Sequence, residues 1–397
     1  MRPSLRARPV RALGVAAAMA AACGSLACAD QGVVTPADAF APVTASLTID
    51  PGALPSYAAQ AVPGHFVPQT LQREARNPLG NEITDAGATL GRVLFFDRQL
   101  SRANTISCAS CHQQQLGFGD TARFSVGFDG TGRTTVHSMR LGNARFNENG
   151  RYFWDRRALS LEAQTTQPVR DAVEMGFDDA HGGFAAVITR LGALPYYPPL
   201  FTLAFGDATI TEDRVQRALA QYVRSILAVD SRWDRAVAQL PTGAPNSPPS
   251  FLDPLPGFTA QERRGQELYF RSVPQGGAGC QTCHVAPSFS LSGGSNSNGL
   301  DAGQQQVFRS PSLKNVALGR RFMHDGRFSS LEEVVAFYDQ GVQSGPSLDT
   351  RLRQPDGQPR RLNLSADDRA ALVAFLRTLT DLSVTTDPRF ADPFRRR

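Results

Sequence analysis

Residues 108–112 read Cys-Ala-Ser-Cys-His, and residues 280–284 read Cys-Gln-Thr-Cys-His. C-x-x-C-H is the attachment signature of a c-type haem. Two thiols at this spacing can each add to a vinyl group of one porphyrin, and the adjacent histidine then lies under the iron as proximal ligand. A redox Cys-x-x-Cys pair does not require the histidine, and a zinc site would need both pairs to converge on one ion. The two motifs use four of the six cysteines, leaving only Cys23 and Cys28 near the N-terminus. The spacing therefore argues for two covalently bound haem c groups, on Cys108, Cys111 and His112 and on Cys280, Cys283 and His284.

The surroundings of the motifs repeat as well. Gly91-Arg-Val-Leu94-Phe95-Phe96 precedes the first and Gly265-Gln-Glu-Leu268-Tyr269-Phe270 the second. Each is a G-x-x-L-aromatic-Phe fragment of helical pattern ending ten to twelve residues before its cysteine pair. Thr259-Ala-Gln-Glu262 is a capping box for the second of these helices. A third helix is predicted over 211–227, with Val215, Leu219, Tyr222 and Ile226 on one face. A last helix, capped by Ser365-Ala-Asp-Asp368, carries Leu372, Phe375, Leu376 and Leu379. Ser330-Leu-Glu-Glu333 caps another, which runs through Val334 to Gln340. No run alternates as a strand would. The expected fold is mainly α, with two tandem cytochrome c-like domains each carrying one haem.

The chain has 397 residues, 41% apolar and 19% charged, which are globular values for two or three domains. Arg2, Arg6, Arg8 and Arg11 precede an apolar run from Ala12 to Ala22, and Ala27-Cys28-Ala29 closes it. That is a secretory signal with its cleavage site before Asp30, which places the mature protein in the periplasm. Lipidation at Cys23 or Cys28 is the alternative processing, although neither has a leucine three residues before it. Removing residues 1–29 lowers the formal charge from +5 to +1. No clustered basic surface of the kind nucleic-acid binding needs is then expected, and no stretch is long enough to span a membrane. The final Arg395-Arg396-Arg397 run reads as a solvated tail.

From about Asn77 to Asp381 the chain resembles the bacterial di-haem cytochrome c peroxidase and MauG family. The resemblance rests on LGRVLFFDRQLSRANTISCASCH (90–112), FWDRRALSLEAQ (153–164), EMG (174–176), SPSLKNVAL (310–318) and MHDG (323–326). It implies a division of labour. The first haem, on His112, would be the peroxidatic site where hydrogen peroxide binds. The second, on His284, would be the six-coordinate electron-transfer haem. Trp154 would link the two, and Gln164, Pro168 and Glu174 would line the distal pocket, with Glu174 as the acid/base group. The organisation expected is a signal peptide (1–29), a flexible N-terminal segment (30–68) and a first, peroxidatic haem domain (69–240). A proline-rich linker (241–256), a second, electron-transfer haem domain (257–385) and a C-terminal tail (386–397) follow.

Two positions depart from the peroxidase pattern. Where a peroxidase has a distal histidine sixteen residues after the first haem histidine, this chain has Phe128. Phe128 is expected at the first haem's distal side, where phenylalanine cannot ligate iron, so that haem is expected to be five-coordinate at rest, with His137 the nearest other candidate. Where a peroxidase has a methionine fourteen residues after the histidine of the HDG motif, this chain has Tyr338, fourteen after His324. A tyrosine stands there in MauG too. A thioether favours ferrous iron, whereas a phenolate oxygen is hard and anionic and favours higher oxidation states. The family's calcium ion, held partly by an asparagine between the haem domains, is left open, because His137 stands at that place and imidazole suits a hard cation poorly.

The reading that follows is an exported di-haem c-type oxidoreductase. It reacts with hydrogen peroxide at the first haem and passes oxidising equivalents through the second to oxidise a partner protein. The alternatives are a cytochrome c peroxidase fed by a small cytochrome or cupredoxin, and a non-catalytic di-haem electron carrier.

Overall fold

A computed structural model describes residues 36–66, 80–147, 150–241, 250–290 and 296–395. The expected signal peptide with Cys23 and Cys28, residues 242–249 of the proline-rich stretch, and Arg396 and Arg397 lie outside them. The described residues are helices and loops. They contain no strand, only isolated bridges, and no helix long and apolar enough to cross a membrane.

Two helix crossings organise the molecule, and they are built alike. The helix Asp85–Phe96 starts at Thr84, whose hydroxyl accepts the Gly87 N–H at 3.0 Å. It crosses the helix Glu212–Ser225 at Gly91, where an added Cβ would stand 2.0 Å from the Ala218 carbonyl oxygen. The helix Ala260–Phe270, held at its start by the Thr259/Glu262 capping box, crosses Ala366–Arg377 at Gly265. There the Cβ would stand 2.0 Å from the Ala371 carbonyl oxygen. The glycine that opens each repeated motif is thus the point of closest backbone approach. Around the first crossing Leu90, Val93, Leu94 and Phe95 meet Val215, Leu219, Tyr222 and Ile226. Around the second, Leu268, Tyr269 and Phe270 meet Leu372, Phe375, Leu376 and Leu379.

The ends of the chain are less independent than their composition suggests. Residues 30–68 are expected to form a flexible segment, yet Val43, Leu47, Ile49 and Tyr57 are buried in the first core. His65 and Phe66 are buried too, His65 edge-on to Trp233. The expected C-terminal tail also returns to the first core. Phe390 is buried there, the Arg92 Nε donates to the Ala391 carbonyl at 2.6 Å, and Arg395 donates to the carbonyls of Thr44 and Leu47. The two ends fasten each other, because each buries apolar side chains too few to fold alone.

The boundary between the halves also differs from the expected residue 241. Trp233, Ala236 and Val237 pack in the second core, so the chain crosses over near Asp230. At the crossing the Lys314 ammonium lies 2.6 Å from both Asp234 oxygens, and His65 Nε2 stands 3.1 Å from one of them. All three side chains are buried, so Asp234, held far below the usual carboxylate range by the Lys314 charge against its own desolvation, stays ionised.

Candidate active site

The first C-x-x-C-H motif forms one helical turn, Cys108–Cys111, started by a reciprocal Ser107/Ser110 cap. It opens onto a cavity of about 140 Å³ lined by Cys108, Cys111, His112, Gln164, Pro168 and Glu174. The cysteines are free, and burial pushes the Cys108 thiol up to about 12 and the Cys111 thiol to about 11. These are neutral thiols, unlike the lowered-pKa thiol of a redox pair. Burial holds His112 down at about 4, so its imidazole is neutral and able to ligate. A tight loop sets its orientation: Phe118, at a φ of 64°, turns its carbonyl to within 3.3 Å of His112 Nδ1. An Nδ1 held in this way leaves Nε2 as the ring atom that could ligate.

The far wall of this cavity comes from two short helices, Leu161–Thr165 and Gln167–Arg170, and the turn after them. Gln164 and Pro168 lie on the helices. In the turn the Asp171 carboxylate accepts the Glu174 N–H at 2.8 Å. Glu174 itself is raised to about 7, first by burial and then by the Asp171 charge, with Arg157 opposing. Phe128 is placed differently from the expectation. Its N–H donates to the Glu174 carbonyl at 2.9 Å, but its ring packs on Gly176 and under the Arg102 guanidinium, and it does not line the cavity. The residue thus fixes the Glu174 backbone and leaves the space above the histidine unfilled by its ring.

The second motif opens onto a larger cavity, about 330 Å³, lined by Cys280, Cys283, His284, Asn298, Val335 and Tyr338. The plan of the first site repeats. Burial pushes Cys280 up to about 12 and His284 down to about 4, and His284 Nδ1 lies 3.1 Å from the Pro311 carbonyl. The histidines, the free thiols and the apolar walls fit a haem on each motif. The wall opposite His284 differs from the first. The helix expected to run on through Gln340 ends as an α-helix at Ala336 and continues as a π-helical turn, Phe337–Gly341. Asp339 clamps that turn, accepting the Leu364 N–H and pairing with Arg369 at 2.9 Å. Such a widened turn is frequent at functional sites. Tyr338 then faces the cavity, its Oη 3.4 Å from the Asn298 amide nitrogen. Burial pushes its phenol up to about 12, so the phenolate form calls for a cation at the oxygen.

A third cavity, about 130 Å³, lies between the other two and is lined by His137, Trp154, His284, Met323, His324 and Tyr338. Trp154 borders both this space and the first cavity. Its Nε1 donates to the His137 carbonyl at 2.7 Å, and its ring stands edge-on to His324 at 6.5 Å. His324 in turn stacks on Phe308 at 3.8 Å. His137 Nδ1 lies 3.0 Å from the Ala122 carbonyl and its N–H donates to the His324 carbonyl, so this residue joins the two halves. Among the described residues no group of three or more His, Cys, Asp or Glu could hold a metal ion. Sequence reasoning missed Asn298, Arg140 and Arg309, all of which line these cavities. Only the position of Arg309 beside the SPSLKN block offered a signal.

The family model described as di-haem cytochrome c peroxidase matches residues 85–241. The methylamine utilization protein MauG of Methylorubrum extorquens is 32% identical over 324 residues, covering 76% of this chain and 80% of that protein. The cytochrome c551 peroxidase of Nitrosomonas europaea is 27% identical over 311 residues, covering 74% and 79%. Among solved structures, a MauG-like protein associated with microbial copper homeostasis superposes with a TM-score of 0.64 at 28% identity, covering 86% of this chain and 98% of that one. With a C-x-x-C-H motif on each of two cavities and this likeness over three quarters of its length, the chain belongs to the di-haem cytochrome c peroxidase and MauG family of oxidoreductases.

Proposed function

We propose that this is an exported, periplasmic oxidoreductase with two covalently bound c-type haems, which uses hydrogen peroxide to oxidise a partner protein. His112 and His284 would each hold the iron of one haem, Tyr338 would be a further donor to the second, and Phe128 offers the first none. The bound haems would supply the redox centres that accept oxidising equivalents from peroxide and hold them until a donor arrives. The chain supplies the rest. Glu174, poised near neutral pH, takes a proton from one peroxide oxygen and returns it to the other, and Gln164 and Pro168 shape the space in which peroxide lies. Trp154 provides the aromatic contact between the two sites.

The observation that carries this reading is Tyr338 facing the second cavity where a methionine would serve an ordinary peroxidase. A hard anionic donor holds iron in its higher states and makes a poor acceptor for electrons from a small cytochrome. Both kinds of relative appear among the matches, so the experiment must separate them. Stoichiometric peroxide, added to the haem-loaded protein without reductant, is expected to give a long-lived oxidised species. Rapid decay, with fast turnover once a reduced small cytochrome or cupredoxin is supplied, would identify the cytochrome c peroxidase activity instead. No reaction with peroxide would leave an electron carrier.

A further inference from the structure

Two arginines stand where the cavities meet, and neither has a carboxylate partner among the described residues. Arg140 and Arg309 both line the first cavity and the intervening one. Arg140 comes from the first half and is held in a slot between two glycines. A Cβ at Gly119 would lie 2.9 Å from its Cγ, and one at Gly319, in the second half, 2.6 Å from its Nη1. Its Nε is sealed from solvent with no hydrogen-bond partner. Arg309 comes from the second half and reaches the first. Its N–H donates to the Trp154 carbonyl at 2.8 Å, and its guanidinium lies 5.4 Å from the centre of the Tyr152 ring. Among the described residues its one side-chain contact of hydrogen-bond type is the Met139 sulfur, at 4.0 Å.

A buried cation without a counter-ion is strongly disfavoured, and two in one place more so. Burial already pushes Arg140 down to about 10 and lowers Arg309. Arg321 lines the intervening cavity as well, and among the described residues no carboxylate does. Among the described residues the one carboxylate on the first cavity is Glu174. Such a site is built for an anion that the chain does not supply.

We propose that Arg140 and Arg309 form one shared anion site for the carboxylate side chains of both haems. The proposal rests on the two-haem reading above. Each half lends a cation to the junction, so each haem is held partly by the other half of the protein. The same positive charges disfavour the more oxidised, more positive iron, and so raise the reduction potential of both haems.

The test is a redox titration of the haem-loaded protein beside charge-keeping and charge-removing variants. Arg140→Gln and Arg309→Gln are each expected to lower the midpoint potentials of both haems, whereas Arg140→Lys and Arg309→Lys stay close to the wild type. Loss of haem loading in the Gln variants, with loading kept in the Lys variants, would support the same conclusion. Lys and Gln variants that behave alike in both loading and potential would overturn it. So would wild-type midpoints that change when chloride is exchanged for phosphate, since a solvent anion would then occupy the site. The haem content of the wild type, read as the pyridine haemochrome, tests the two-haem reading separately.

Discussion

The two halves share a frame and part company at one wall. In each, a glycine lets the first helix meet the last, a C-x-x-C-H turn follows, and a backbone carbonyl holds Nδ1 of the motif histidine. Opposite His112 the wall carries a carboxylate raised toward neutrality. Opposite His284 it carries a phenol, set on a π-helical turn and faced by an amide. The frame therefore determines where a haem would lie, and the opposite wall determines what it can do. A proton-transfer group beside an open position suits peroxide, while a hard oxygen donor suits storage of oxidising equivalents.

The largest expected effect breaks the comparison on the first side only. Glu174→Gln should slow the reaction with peroxide by about 10²- to 10⁴-fold, the usual contribution of general acid–base catalysis, and leave the second haem's spectrum unchanged. The same residue links stability to pH. Its folded-state pKa is raised, so its favourable contribution is complete in acid and is lost as pH rises through about 7. Glu174→Gln should remove that fall, a difference of roughly 2 kcal/mol or less, visible in denaturant midpoints at acid and alkaline pH.

The second half depends on a buried charge at the crossing. Lys314→Met removes the ammonium from the buried Asp234, leaving it only His65 and Ser231, and should cost about 3–5 kcal/mol in unfolding. A smaller effect tests the chain ends. Leu47→Ala should cost about 2–4 kcal/mol in the unfolding of the first half, whereas a free tether would tolerate it without loss. The smallest effect sharpens the likeness of the halves. Gly91→Ala and Gly265→Ala each force a methyl against a carbonyl, and should cost similar amounts, about 1–3 kcal/mol.

What could be read from the sequence was local. The C-x-x-C-H turns, the Thr259, Ser330 and Ser365 caps and the helical faces depend on residues within a few positions of each other. Glu174, Gln164 and Pro168 meet on the first cavity because they share a short stretch whose turns fix them. The rest depends on distant partners. Val43, Leu47 and Tyr57 are scattered through a segment rich in Ala, Pro and Thr, and only their burial in the first core, Tyr57 against Phe390 and Tyr222, marks them as core. The widening of the helix at Phe337 follows from the Asp339–Arg369 clamp, whose members lie thirty residues apart. Phe128 is sixteen residues after His112 as the pattern requires, but its ring packs on Gly176 and under Arg102, away from the cavity. Arg140 and Arg309 carry no motif, and only the cavities show what they face.

The most direct test of the account is the low-temperature magnetic resonance and absorption spectrum of the ferric, haem-loaded protein beside Tyr338→Phe and Tyr338→Met. One high-spin and one low-spin haem are expected in the wild type, with no methionine–iron charge-transfer band. Tyr338→Phe should open the second haem's sixth position, and Tyr338→Met should raise its potential. Two low-spin haems, a methionine–iron band in the wild type, or spectra unchanged by both substitutions would contradict it.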